Sequence, residues 1–242
     1  MPETTLISAL EHVAGVLGSS EYVGSEVFII IPHILLEQEA ARRKYLEDFG
    51  RICSFSLANE PGTKKFCAFQ SHNKEGHNEI WALEHFDSET ALVEHRRAPP
   101  VTDMFSWLME TKPNGRHPLP MPVPLQLPIG SLVRPEVKEV HNPFIVITQI
   151  KARTNSCRVL EAAILAFGRK AKDQRDILLF MPGKTEDDGW VVIAAYTTKL
   201  YYDESGFSED KVGGAVESWN ESFAEFKVGF LCRPGSCAPG LA

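Results

Sequence analysis

The residues best suited to acid–base chemistry lie on two predicted strands and one predicted helix. His33 ends an apolar strand, Glu84 and His85 stand near the end of a later strand, and His95 follows in a helix. Histidine is a suitable general base because its unperturbed pKa lies near neutrality. A carboxylate can serve as a base or can orient one. We therefore take His33, Glu84 and His95 as the candidate catalytic residues.

Strand alternation divides the side chains of the later strand, residues 78–86, between two faces. One face carries Ile80, Ala82, Glu84 and Phe86, and the other carries Trp81, Leu83 and His85. Glu84 therefore shares a face with the ring of Phe86. For Trp81 and His85 the pattern favours packing in a core or an interface.

Each candidate also has an ordinary structural role that the sequence leaves open. His33 could hydrogen-bond to backbone at the end of its strand, and His95 could join its helix to the core. Glu84 could be a surface or structural carboxylate. Trp107 and Trp219 have the spacing of core residues on helix faces.

Composition narrows the class of protein. The 242 residues have a net charge of −7, with 43% hydrophobic and 24% charged residues, as expected of a globular protein with a real core. The negative charge argues against a broad nucleic-acid or anionic-membrane surface, so we expect neither partner. With no signal-like or membrane-spanning segment in the pattern, a cytoplasmic location is the default expectation.

Cysteine and motif spacing exclude several chemistries. The five cysteines are odd in number and form no Cys-x-x-Cys pair, so the sequence suggests neither a disulfide framework nor a zinc knuckle. His72 and His77 stand at no recognised ligand spacing, and no phosphate loop or Gly-x-Ser-x-Gly elbow occurs. We expect no metal and no cofactor.

The elements that position the candidates form one strand–helix–strand–strand–helix unit. The pattern predicts strands at 27–33, 65–70 and 78–86, and helices at 35–59, 87–97 and 101–110. Asp87 is the predicted N-cap of the second helix. Pro32 should mark the end or edge of the first strand, since proline cannot donate to a ladder.

A weaker copy of this layout follows a proline-rich stretch. It contains predicted strands at 143–150, 176–181, 190–198 and 228–232, a helix from Asn155 to Gln174, and a helix over 208–226 that Gly213-Gly214 weakens. Residues 125–133 could add an edge strand to the first unit. The predicted fold is α+β, with two tandem ferredoxin-like β-α-β-β-α-β units. The predicted divisions are an arm (1–24), a first domain (25–112), a linker (113–138), a second domain (139–233) and a tail (234–242).

Three short motifs resemble the antibiotic-biosynthesis monooxygenase superfamily, whose members are dimeric α+β barrels. These motifs are Glu60-Pro61-Gly62 after the long helix, the strand end Glu84-His85-Phe86, and Glu94-His95-Arg96 before Pro99. The similarity covers residues 27–108, and in the second half it is mostly one of element order. It implies that a tandem chain builds the barrel internally, and it leaves open a homodimer of tandem chains.

The resemblance also implies a pocket between sheet and helices. In the family an aromatic residue, usually Trp, ends the third strand and lines the pocket; here it is Phe86, without the indole N–H donor. The polar pocket position falls on His33, with Gln149 in the second unit, and the family's helix histidine falls on His95. We add Trp81, His85, Phe105 and Tyr196 as candidate substrate-binding residues, with packing the plainer role for Tyr196.

The leading hypothesis is a small secondary-metabolism enzyme that oxygenates an aromatic, polyketide-like substrate without a cofactor. An electron-rich phenol or anthrone can react with O2 once it is deprotonated, so the protein needs a base, a dry aromatic slot and a donor for the developing oxyanion. A polyketide cyclase or isomerase using the same pocket without O2 is one alternative. A non-catalytic barrel that binds a reactive intermediate is the other.

Overall fold

The computed structural model describes residues 28–71, 78–111, 124–125, 132–134, 143–185 and 189–231, with residues 137 and 140. The predicted arm (1–24), most of the linker, and the tail lie outside these residues, as do His72, His77, Cys232 and Cys237. The chain divides into two compact units. Among described residues, unit 1 contains 28–69, 78–111, 124 and 227–231, and unit 2 contains 70–71, 125 and those between 132 and 226, so that the strands Thr63–Ser71 and Pro124–Leu125 each end with residues assigned to unit 2.

Unit 1 is a sheet with its helices packed on one face. The strands are β1 (Phe28–Ile30), β2 (His33–Leu35), β3 (Thr63–Ser71), β4 (Glu79–Phe86), β5 (Pro124–Leu125) beside β1, and the end of β10 (Val216–Phe230). The helices are α1 (Glu39–Asn59), α2 (Glu89–Arg97) and α3 (Pro99–Thr111). Strand order is β5-β1-β4-β3-β10, and β2 also pairs with β4.

The predicted first strand is interrupted, and β4 pairs with both of its parts. Phe28 lies opposite Phe86, and His33 lies opposite Trp81, both in antiparallel register. Between them the carbonyl of Pro32 accepts the backbone N–H of Ala82 at 2.8 Å. Pro32 lies in the interruption between β1 and β2, where its missing N–H leaves the ladder without a donor.

The long helix α1 forms because one of its faces is apolar. Tyr45, Phe49, Ile52 and Cys53 of that face are buried in a core shared with Phe66, Ala68, Ile80, Ala82 and three residues of α3. The helix begins at Glu39, four residues later than predicted, and ends at Asn59 as predicted. Ser88, rather than Asp87, caps α2: its Oγ accepts the N–H of Ala91 at 3.1 Å.

Unit 2 repeats the arrangement of antiparallel strands with a helix packed against one face. It contains β6 (Leu132–Val133), β7 (Phe144–Ala152), β8 (Ile177–Lys184), β9 (Gly189–Tyr196), the first part of β10, and helices α4 (Cys157–Ala171) and α5 (Lys199–Ser205). Two 3-10 turns follow at Glu209–Lys211 and Gly213–Ala215. Strand order is β10-β7-β9-β8-β6. Phe144 lies opposite Tyr196, as Phe28 lies opposite Phe86.

The helix predicted over residues 208–226 is wrong. Most of that segment is β10, which pairs antiparallel with β7 and places Trp219 opposite Ile150. The carboxylates Glu217, Glu221 and Glu225 recur every four residues and imitate a helix, but pairing with β7 overrides this local pattern. Trp219 packs against the core of unit 2 from a strand, not from a helix.

Two smaller predictions in the second half also need correction. Asn155 does not cap α4: it has a φ of 67°, and Ser156 precedes the helix without a side-chain cap bond. The predicted edge strand over 125–133 is split, because Leu132 pairs with Phe180 of unit 2 while β5 lies beside β1. The predicted α+β class is confirmed, with five α-helices among the described residues.

Candidate functional site

The helix-facing side of β4 contains one carboxyl group among apolar side chains. Ile80 and Ala82 belong to the core beneath α1 and α3, and Phe86 packs with Ile30 and Leu92. Glu84 points to the same side, because it alternates with them and lies opposite Ile30. The prediction that Glu84 and Phe86 share a face is therefore confirmed.

Glu84 is deep in unit 1 and yet accessible. Burial raises the pKa of its carboxyl, the charges of His95 and Arg96 oppose this rise, and Glu60 adds to it. Part of Glu84 nevertheless keeps solvent-accessible surface. Since the backbone of β4 is paired on both sides, we infer that this surface belongs to the side chain. No hydrogen bond from a described residue reaches the carboxyl.

His95 is held by a carboxylate from the turn after α1. Its Nδ1 lies 2.8 Å from Oε2 of Glu60, and its ring sits between Phe66 and Phe86, with centroids 4.8 Å and 5.0 Å away. Burial alone would raise the pKa of Glu60, but hydrogen bonds from His95, Ser56 and Thr63, with the charge of His95, lower it below its ordinary value. An ionised Glu60 would accept a proton on Nδ1 of His95, and in the neutral imidazole the lone pair would then lie on Nε2.

Arg96 brings a cation to the same side. Leu92, His95 and Arg96 are spaced i, i+3 and i+4 on α2 and so share a helix face. Burial lowers the pKa of the Arg96 guanidinium, and the nearby Glu84 raises it. The Nη2 nitrogen is buried without a hydrogen-bond partner in the described part of the chain.

Together, Glu60, Glu84, Phe86, His95 and Arg96 form what we call the helix-side site. It combines an oriented imidazole, a carboxyl group biased towards its neutral form, a cation and an aromatic ring. A neutral carboxylic acid in such a setting can donate a hydrogen bond to a developing oxyanion. The imidazole can remove a proton.

His33 does not belong to this site. Its ring stacks on Trp81, with centroids 3.9 Å apart and planes at 9°, on the face of β4 opposite Phe86. Burial lowers the pKa of His33, against a smaller opposing effect of Glu79. The expectation that His33 shares a pocket with Phe86 is therefore wrong, because its register with Trp81 turns it to the other face.

His85 lies with Trp81 on that other face, as the alternation predicts. Burial, with the charges of Lys65 and Lys64, lowers the pKa of His85 to about 3, against a raising effect of Asp87. Its Nδ1 and the Nε1 of Trp81 are buried without partners among the described residues. Neither side chain reaches the helix-side site.

The candidates in unit 2 do not form a matching site. Gln149 is exposed, on the face of β7 opposite the buried Val146 and Ile150. Tyr196 takes the position of Phe86, but its hydroxyl accepts the backbone N–H of Phe207 at 3.0 Å. The position equivalent to Glu84 is the buried Ala194, so unit 2 has no carboxyl there.

The sequence pattern did not indicate two members of the helix-side site, Glu60 and Arg96. Of the three candidate catalytic residues, only His33 lies outside the site. In the sequence, Glu60 was used only as part of the Glu60-Pro61-Gly62 motif. As a carboxylate in that turn, it could also have been considered as a partner for His95. The helical spacing of Leu92, His95 and Arg96 was the available signal for Arg96. Phe105 is a partly buried residue at the edge of the unit 1 core.

Two further properties concern only the described residues. Among them, no group of three or more His, Cys, Asp and Glu side chains could hold a metal ion. No helix in the same part of the chain is long and apolar enough to cross a membrane.

No family model matches the sequence, and no curated protein matches it either. Solved structures do match. A proposed monooxygenase from Lactobacillus acidophilus has a TM-score of 0.66 at 15% identity, covering 85% of this chain and 98% of that one. Another, from Fusobacterium nucleatum, has a TM-score of 0.66 at 11% identity, covering 86% and 97%.

An anthrone oxidase-like protein matches with a TM-score of 0.56 at 9% identity, covering 90% of this chain and 98% of the other. At such identities the likeness concerns the fold alone. It identifies the class as the α+β-barrel-like fold of these proteins. What each of them does cannot be transferred to this chain by the fold.

Proposed function

We propose that this protein is a cofactor-free oxygenase that acts on an aromatic, polyketide-like substrate at the helix-side site of unit 1. The observation that carries the proposal is the grouping of Glu84 with the Glu60–His95 pair beside the ring of Phe86. The names of the structural neighbours, monooxygenase and anthrone oxidase-like, agree with this chemistry.

In the proposed reaction His95 is the base and Glu84 the hydrogen-bond donor. Glu60 orients the imidazole of His95 through Nδ1. The lone pair on Nε2 then removes a proton from the methylene carbon in the central ring of an anthrone. Glu84, in its neutral form, donates to the oxygen that gains charge as the enolate forms. Phe66 and Phe86, both fully buried, hold the ring of His95 between them and so fix its position.

The oxidation balances without another redox partner. The enolate gives electrons to O2, a carbon–oxygen bond forms, and the hydroperoxide then loses water as the second hydrogen leaves that carbon. Anthrone and O2 thus yield anthraquinone and water: the carbon is oxidised by four electrons, and O2 is reduced by four. No residue of the chain changes its oxidation state.

We further propose that the chain is a tandem in which unit 2 supports unit 1. The equal registers of Phe28 with Phe86 and of Phe144 with Tyr196 favour a common origin of the two units. Ala194 at the position of Glu84 favours unit 1 as the working half. A role in secondary metabolism would follow from an aromatic polyketide substrate.

Oxygen uptake with 1,8-dihydroxyanthrone tests the proposal. We expect protein-dependent uptake above the spontaneous rate, and His95→Gln and Glu84→Gln should each lower kcat by about 100-fold or more. Glu94→Gln is the matched control, because Glu94 is an exposed carboxylate next to His95 on α2. If His95→Gln and Glu84→Gln kept the same kcat as the control Glu94→Gln, the helix-side site would be excluded as the reaction centre.

Anaerobic assays separate the two alternatives. Conversion of a polyketide intermediate without O2 would replace the oxygenase proposal with a cyclase or isomerase using the same pocket. Tight binding of the anthrone with no turnover, unchanged in His95→Gln, would indicate a binding protein.

A further inference from the structure

Beyond its acid–base pair, the helix-side site contains a cation without a matching anion. Arg96 forms no ion pair within 4.0 Å in the described part of the chain, and its Nη2 is buried and unpaired there. An unpaired polar group in a protein interior costs about 1–3 kcal/mol, and more when it is charged. Such groups are rare enough in native proteins that each calls for an explanation.

The acidic groups near Arg96 do not neutralise it. The Oε2 atom of Glu60 is engaged by His95 at 2.8 Å and by the hydroxyl of Thr63 at 3.0 Å. Burial raises the pKa of Glu84 and so favours its neutral form. The Nη2 of Arg96 is therefore left without an anionic partner among the described residues.

Arg96 and its neighbour Glu84 are also both reached by solvent. Each is nevertheless sufficiently buried for its pKa to be shifted. A planar guanidinium presents several N–H donors in a fork that fits a carboxylate in two-point contact. In its neutral form, which burial favours, Glu84 would not repel such a group.

We propose that Arg96 is the specificity residue of the helix-side site, and that the site takes aromatic substrates bearing a carboxylate, which Arg96 binds. This inference rests on the proposed function for its aromatic substrate, and it adds the acidic group. Arg96 acts here as a binding group and not in the proton transfer.

Two stable ligands that differ only in charge test this proposal without any turnover. Anthraquinone-2-carboxylate and the neutral 2-(hydroxymethyl)anthraquinone share the ring system and do not react with O2. By calorimetric titration we expect the carboxylate to bind at least tenfold more tightly to the wild-type protein. Arg96→Met should remove this preference while leaving the affinity for the neutral ligand unchanged, and Arg96→Lys should restore part of it.

Arg97→Met is the matched control, because Arg97 is the next residue on α2 and is exposed. It should keep the full preference for the carboxylate. Equal affinity of the wild-type protein for both ligands, or an equal loss in Arg96→Met and Arg97→Met, overturns the proposal. If Arg96→Met does not fold, equal affinity of the wild-type protein for the two ligands still overturns the proposal.

Failure here is distinguishable from failure of the proposed function. Oxygen uptake without any charge preference would remove the role of Arg96 and leave the oxygenase standing. A charge preference without oxygen uptake would retain an acid-binding aromatic site and remove the oxygenase. Glu84→Gln should keep the preference, since its neutral amide resembles the protonated acid.

Discussion

At the level of single residues, face and register decide which candidates can act together. Alternation along one strand was enough to predict that Glu84 and Phe86 share a side. The same rule could not locate His33, because its face depends on which residue of β4 it pairs with. The resemblance assigns His33 to a pocket, whereas its pairing with Trp81 turns it away.

Glu84 should make stability depend on pH in an unusual direction for a carboxylic acid. Its pKa is raised in the folded protein from an ordinary value of 4.5. Below pH 4.5 both folded and unfolded states are protonated, so the group has no effect. As pH rises from there to the folded pKa, only the unfolded state gives up the proton, and the free energy of unfolding falls.

Denaturant titrations of wild type and Glu84→Gln from pH 4 to 8 measure this effect. As the pH rises, the wild-type protein should lose free energy of unfolding relative to Glu84→Gln. The total loss should be about 1.4 kcal/mol for each unit by which the pKa of Glu84 is raised in the folded state. Glu94→Gln supplies the baseline for an exposed carboxylate. A difference that is flat or that falls over this range would contradict a raised pKa of Glu84.

At the level of elements, periodicity predicted most strands and helices, and it failed where tertiary pairing opposes it. The strands at 63–71 and 79–86, and the helix ending at Asn59, follow from apolar spacing. The 208–226 segment was misassigned because its carboxylates have helical spacing, whereas its backbone hydrogen-bonds to β7. No local signal reveals a partner strand more than sixty residues away.

Gly229, the single glycine of β10, should not tolerate a side chain. It has a φ of 115°, and a Cβ there would meet the carbonyl oxygen of Phe66 and lie 2.5 Å from Cα of Cys67. Both obstacles are backbone atoms of β3 and cannot rotate away. Gly229→Ala should therefore lower the free energy of unfolding by about 3 kcal/mol, seen as an earlier denaturant midpoint.

Gly214→Ala is the internal control for that experiment. A Cβ at Gly214 meets nothing within 4 Å. Its effect should stay within about 0.5 kcal/mol. If both variants lost a similar amount of free energy of unfolding, the close approach of β10 to β3 would not be the reason that position 229 requires glycine.

At the level of the whole molecule, the order of strand, helix, strand and strand is predicted twice by the sequence. The carboxyl that one unit has and the other lacks is not predicted, because Ala194 is identified as the counterpart of Glu84 only through the registers of β4 and β9. A site made of residues 35 positions apart, such as Glu60 and His95, likewise emerges only from tertiary structure.

A substitution in unit 2 should therefore change stability and not catalysis. Tyr196→Phe removes the hydroxyl that accepts the N–H of Phe207 and leaves that donor buried. We expect a loss of about 1–3 kcal/mol in the free energy of unfolding, with kcat and KM for the anthrone unchanged below the melting range. A kcat loss comparable to that of Glu84→Gln would assign the chemistry to unit 2 instead.

The division of β10 has a consequence for synthesis on the ribosome. Its first part belongs to unit 2, while the residues from Lys227 onward belong to unit 1. Every other described part of unit 1 is made before the body of unit 2, yet the sheet of unit 1 lacks the strand beside β3 until unit 2 has been made. Unit 1 thus begins to emerge first and is completed only after unit 2, and a nascent chain must keep the exposed edge of β3 from pairing wrongly in the meantime.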